Sequence, residues 1–131
     1  MNGLRERLAS INEGKIMCTQ AQLKRITSEV SHSVKKALGD RLHNIILYGS
    51  YARGDYNDGS DIDIMVLADV KDEEKPAFLK VVDKISSNIS LKNDITVSIL
   101  LKDKNFFNAH TSVLPFYRNV EVEGVEVYAA Q

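Results

Sequence analysis

Only one cysteine, Cys18, occurs in the sequence. A lone thiol rules out an internal disulfide and a zinc cage built from several thiolates. Excess charge is lacking too, since 17 Lys and Arg against 18 Asp and Glu leave a formal net charge of −1. Such a chain has no bulk attraction for nucleic acid or anionic lipid, so any polyanion it binds must be held by a local arrangement. No apolar run approaches the length needed to span a bilayer. Met1 to Ile11 carries Arg5, Glu6 and Arg7 and no apolar core of the kind a signal peptide needs, so a cytoplasmic protein is expected. Repeats, low-complexity tracts and linker-like composition shifts are also missing. What remains is 131 residues, 44% hydrophobic and 27% charged, the size and balance of one soluble domain spanning residues 1–131.

The apolar spacing predicts an alternation of helices and strands. A short helix is expected around residues 3–12. Thr19 and Gln22 form a capping-box pattern, and Leu23, Ile26, Val30, Val34 and Leu38 recur at helical spacing, so residues 19–38 read as an amphipathic helix stopped by Gly39. Asn44 to Tyr48 reads as a buried strand ended by Gly49. Residues 50–60, rich in Gly, Asp, Asn and Ser, read as a loop that opens with a short helix. Asp61 to Leu67 is a second strand, in which Asp61 and Asp63 fall on the same face. A helix over 72–90 tolerates Pro76 in its first turn. A third strand is expected over Asp94 to Leu101, then helices over 102–110 and 114–122, a stop at Gly124, and a short edge strand over 125–128. This order suggests an α/β sandwich, a small sheet with helices mainly on one face and the aspartates on the other, more open face.

Two features in the middle of the chain carry chemistry. Carboxylates two residues apart on a strand stand about 7 Å apart by backbone rise, and their side chains can converge further. Unit charges about 4 Å apart repel by about 4 kcal/mol at an effective dielectric near 20. The Asp61–Asp63 pair therefore calls for a cation or a raised pKa. Magnesium suits it, because that ion takes a few carboxylates, keeps waters and accepts phosphate oxygens. Ahead of the pair, Gly49-Ser50 sits where a strand ends. Glycine there lets the backbone approach a phosphate closely, and the Ser50 hydroxyl and following amides can donate to its oxygens. A phosphate cradle followed by metal-binding carboxylates is what metal-assisted phosphoryl or nucleotidyl transfer requires.

The run Gly49-Ser50-Tyr51-Ala52-Arg53-Gly54, followed by Ser60-Asp61-Ile62-Asp63, resembles the signature of the nucleotidyltransferase superfamily that includes DNA polymerase beta. The Ala-Arg-Gly extension and the serine before the first aspartate are typical of its small stand-alone, or minimal, members. The resemblance implies a nucleotidyltransferase-like fold with a small mixed sheet. It implies that Gly49 and Ser50 bind a triphosphate, and that Asp61 and Asp63 hold two divalent metals, taken as Mg2+. A third carboxylate on the next strand would complete the metal set and help activate an acceptor hydroxyl. Asp94 is the only acid in the segment expected to form that strand and is assigned this role, with Thr96 and Ser98 sharing its face. Arg53 is placed either on phosphate or in a structural ion pair, and Ser60 joins the phosphate-binding set.

Rival motifs fail on their fixed positions. Gly54 to Ser60 has Walker-type glycine spacing, but Ser60-Asp61 replaces the Lys-Ser/Thr pair. A calcium loop starting at Asp55 would need Gly at position 60 and Glu at 66, where Ser60 and Val66 stand. His32, His43 and His110 show no metal spacing. Tyr48 and Tyr51 are open to base stacking or packing, and Phe106, Phe107, Phe116 and Tyr117 to packing or docking. The expected activity is transfer of a nucleoside monophosphate, AMP from ATP by preference, to a hydroxyl with release of pyrophosphate. The alternative is a nucleotidyltransferase-fold binding module of weak or lost activity that docks a helical partner. The resemblance further implies a separate all-helical HEPN-type protein as partner, as antitoxin to toxin. The apolar segment Val113 to Tyr117 could instead bury against a second copy.

Overall fold

The computed structural model describes residues 18–130. The helix expected around 3–12 lies outside them. Helix α1 (Gln20–Leu38) begins where Thr19 accepts the Gln22 amide on its hydroxyl at 3.1 Å. Its whole apolar stripe, from Leu23 to Leu38, is buried. Gly39 leaves the helix at φ +57°, and a 3-10 turn (Gly39–Arg41) leads into β1 (Leu42–Tyr48). The four-residue helix α2 (Ser50–Arg53), β2 (Ile62–Ala68), α3 (Lys75–Asn93) and β3 (Val97–Asp103) follow. Then come α4 (Lys104–His110), α5 (Pro115–Glu123) and β4 (Val125–Ala129).

These strands form one mixed sheet in the order β3-β2-β1-β4. β1 is antiparallel to both neighbours, whereas β2 and β3 are parallel. The parallel pair is joined by α3, the crossover that such a pair needs. Period-two alternation splits the sheet's side chains between two faces. On one face Ile45, Leu47, Ile62, Ile64, Val66, Val97, Ile99 and Leu101 pack with the stripes of α1 and α3. On the other, Met65 and Leu67 are covered by Phe107, Tyr117 and Val120 of α4 and α5. The two long helices thus share one face, as expected. The second face is less open than expected, because α4 and α5 close the Met65–Leu67 end and leave half-buried Asp63 at the other. No helix among the described residues is long and apolar enough to cross a membrane.

The third strand starts later than the sequence suggests, and this moves Asp94. Ile95-Thr96-Val97 looks strand-like, yet α3 continues to Asn93. Asp94 then takes the left-handed conformation at φ 52°, with its amide bonded to the Ser90 carbonyl. Aspartate tolerates that region better than most residues, so it ends the helix where no glycine marks a stop. Ser90 also fixes the start of β3, accepting the Val97 amide on its hydroxyl at 2.9 Å. Asp94 is therefore an exposed helix cap and not a strand residue.

Candidate active site

Three pieces of chain meet at one end of β2. Gly49 ends β1 at φ +76°, a conformation that costs glycine nothing. α2 follows at once, its first internal bonds running from the Ala52 and Arg53 amides to the Gly49 carbonyl. The amides of Ser50 and Tyr51 precede those bonds, so the helix makes no use of them. Gly54 closes the short helix at φ +85°. Antiparallel pairing sets Tyr48 opposite Asp63, which brings the turn against the aspartate. A Cβ built on Gly49 would lie 2.5 Å from the Asp63 Oδ2. The phosphate-type turn and the carboxylate are thus in direct contact, although 14 positions separate them.

The electrostatics of Asp63 follow from that packing. Burial raises its pKa above the ordinary carboxylate range, the neighbouring Asp61 charge raises it further, and Arg53 pulls it back down. Asp61 itself is exposed just before β2. The Tyr48 hydroxyl is pushed up to about 12, first by burial and then by the Asp63 charge, so it stays protonated at neutral pH.

Other expected site residues are placed less simply. Arg53 is in the ion-pair arrangement, with its Nε 3.2 Å from Asp55 and its Nη1 3.6 Å from Glu123 on α5. The Ser60 hydroxyl accepts the Asn57 amide at 2.9 Å and closes the 57–60 turn. Tyr51 is buried in the main core and stacks on Tyr56 at 4.2 Å, so it packs and offers no platform to a base. Phe107 and Tyr117 are also core, whereas Phe106 and Phe116 remain exposed. Glu123 escaped the sequence reading. It stands 70 positions from Arg53, and no local pattern links them.

The metal set expected from sequence is assembled only in part. Asp61 and Asp63 stand together, but Asp94 does not join them. Among the described residues no three His, Cys, Asp or Glu side chains gather into a set that could hold a metal ion. The position beside Asp63 on the neighbouring strand belongs to Ser98, and the Thr96 carbonyl accepts the Ile62 amide. Two carboxylates with a hydroxyl nearby are hard oxygen donors, which fit a divalent cation such as magnesium that keeps part of its water shell.

Comparisons with known proteins agree with this geometry. A family model described as a nucleotidyltransferase domain matches residues 27–125. A protein of Methanocaldococcus jannaschii described as a candidate protein adenylyltransferase is 38% identical over 102 residues, covering 78% of this chain and 95% of the relative. Among solved structures, a candidate nucleotidyltransferase from Sulfolobus solfataricus has a TM-score of 0.57 at 20% identity, covering 84% of this chain and 83% of that one. A toxin–antitoxin structure with AMP-PNP has a TM-score of 0.51 at 18% identity, covering 80% and 74%. Likeness at such identities is likeness of fold. The family match and the curated relative go further, and this chain belongs to the nucleotidyltransferase family.

Proposed function

We propose that residues 49–63 bind the phosphates of ATP with a divalent cation, taken as Mg2+, and that the site transfers AMP to a hydroxyl of a protein acceptor. The contact between the Gly49 turn and the Asp63 carboxylate carries this reading. It unites a surface suited to phosphate oxygens with a pair of carboxylates that needs a positive charge. Gly49 lets the backbone approach the phosphates, and the Ser50 hydroxyl and the Ser50 and Tyr51 amides donate to them. Asp61 and Asp63 would hold the cation, which when bound offsets charge on the phosphates and on the leaving pyrophosphate. Arg53 supplies a further positive charge at the mouth of the turn once it releases Asp55 or Glu123. Ser60 acts mainly by holding the loop, through Asn57, in the shape that presents Asp61. The adenylyl group and the protein acceptor are suggested by the Methanocaldococcus relative.

A helical toxin-type partner is in keeping with the fold shared with the toxin–antitoxin structure. Val113, Leu114 and Phe116, which are exposed, form the apolar surface on which such a partner, or a second copy, would dock. The direct test is incubation with ATP labelled on the α-phosphate, magnesium and the isolated partner. Label should appear on the partner, and the Asp61→Asn variant should transfer none. Label transfer by Asp61→Asn at the wild-type rate would reject the proposal.

One observation favours a second reading, a nucleotide-binding module that docks its partner and turns over slowly. Ser98 stands where the resemblance implies a third carboxylate. The Ser98→Asp variant separates the two. If the missing acid limits the wild type, transfer by Ser98→Asp should rise about tenfold or more, roughly 1.4 kcal/mol in the barrier. An unchanged or lower rate in single-turnover assays would mean that the serine is already adequate. A partner complex of equal stability with wild type and Asp61→Asn would support docking over chemistry.

A further inference from the structure

A sizeable concavity of the fold lies away from the site just described. A cavity of ≈580 Å³ lies beyond the C-terminal ends of β2 and β3. This is within the roughly 300–1,000 Å³ typical of small-molecule pockets. Its wall residue Lys102 pairs with Leu67, four positions along β2 from Asp63 and so about 13 Å away along the strand. The cavity and the Asp63 site therefore sit toward opposite ends of the same strands.

The lining has a definite chemistry. Lys71, Lys75 and Lys102 face the space, and none is in an ion pair among the described residues. Two acids share the wall, Asp72 and Asp103. Asp103 is already committed, with one carboxylate oxygen accepting the Val70 amide at 3.3 Å and the other the Phe106 amide at 3.1 Å. Nearby Glu74 is bound to Arg41 at 2.7 Å. Three cations thus face two carboxylates, one of them already held by backbone amides, and the excess is one positive charge. Phe106 and Tyr117 supply an aromatic wall, set edge to face at 6.1 Å. The Tyr117 ring is buried, but its hydroxyl makes no hydrogen bond among the described residues, reaches solvent and is free to bond a ligand.

We infer that this cavity is a second binding site, for a small phosphorylated molecule with an aromatic ring, of nucleoside monophosphate size. The lysines take the phosphate, the ring lies against Phe106, and the Tyr117 hydroxyl bonds to the ligand. The test is calorimetric titration of the full chain with AMP, adenosine and inorganic phosphate, in chelator so that no divalent cation contributes. AMP should bind wild type and Gly49→Ala alike. The Lys71→Ala/Lys102→Ala double variant should bind it at least about tenfold more weakly, as expected for lost charge-assisted bonds. Tyr117→Phe, which removes only the hydroxyl, should weaken it by a few-fold, and both phosphate and adenosine should bind less tightly than AMP. No AMP binding by wild type would overturn the inference, as would AMP binding that survives in the double lysine variant or is lost in Gly49→Ala. Inorganic phosphate binding as tightly as AMP would overturn the aromatic part of the site.

Discussion

Asp63→Asn is expected to cut nucleotidyl transfer about a thousandfold and, in chelator, to make the fold more stable at neutral pH. The loss follows from removing one of the two carboxylates proposed to hold the cation. Charge stabilisation by such a cation is worth several kcal/mol, and about 1.4 kcal/mol corresponds to each factor of ten. The gain in stability follows from the raised pKa of Asp63, whose first cause is burial and whose second is Asp61. A carboxyl raised in the folded state favours folding fully at pH below its unfolded pKa. That contribution is lost as pH rises through the folded pKa. At neutral pH the ionised Asp63 therefore works against the cation-free fold, and a neutral amide of the same shape does not. Thermal melting of both proteins in chelator should show the variant melting higher at pH 7, with the gap closing as pH falls through the carboxylate range. A variant that is both inactive and less stable at pH 7 would make Asp63 a structural residue instead of one strained for function.

Gly49→Ala should cut activity at least about a hundredfold at a small cost in stability. An alanine at φ +76° and ψ −156° sits in a region essentially reserved for glycine and pays about 1–3 kcal/mol. A domain with a stability of about 5–15 kcal/mol survives that. The methyl group cannot be accommodated in place, however, because its position lies 2.5 Å from the Asp63 Oδ2 and 3.4 Å from the Asp63 Cβ. Either the carboxylate swings away or the turn lifts. A displacement of about 1 Å in a reacting group costs about a hundredfold in rate. The variant should thus remain folded by circular dichroism while losing at least that factor in transfer. Gly54→Ala makes a useful control. It lies in the milder left-handed region (φ +85°, ψ 8°), and an added Cβ meets nothing within 4 Å, so activity should largely persist.

The helix α1, the strands β1 and β2, and the turn between them were legible because each announces itself locally. Thr19 and Gly39 bracket an apolar stripe at helical spacing, and Gly49 stops a buried run. Asp61 and Asp63 share a strand-like parity. The start of β3 was not legible. Ile95, Thr96 and Val97 have the β-branched character of a strand, and helix α3 ends on Asp94 without the glycine that usually marks a stop. That three-residue difference took Asp94 out of the strand and put Ser98 beside Asp63. Pairing across the chain was equally hidden. The Arg53–Glu123 contact and the covering of Met65 and Leu67 by α4 and α5 depend on tertiary packing. Periodicity marks an apolar face but does not name what will cover it.

The central claim is that residues 49–63 form a single site for nucleotide phosphate and a divalent cation. Calorimetric titration of ATP with and without magnesium, for wild type, Asp63→Asn and Asp94→Asn, tests it most directly. Wild type and Asp94→Asn should both bind ATP in a magnesium-dependent manner, and Asp63→Asn should lose the magnesium dependence. Equal magnesium-dependent binding by wild type and Asp63→Asn would contradict it, as would loss in Asp94→Asn with Asp63→Asn unaffected.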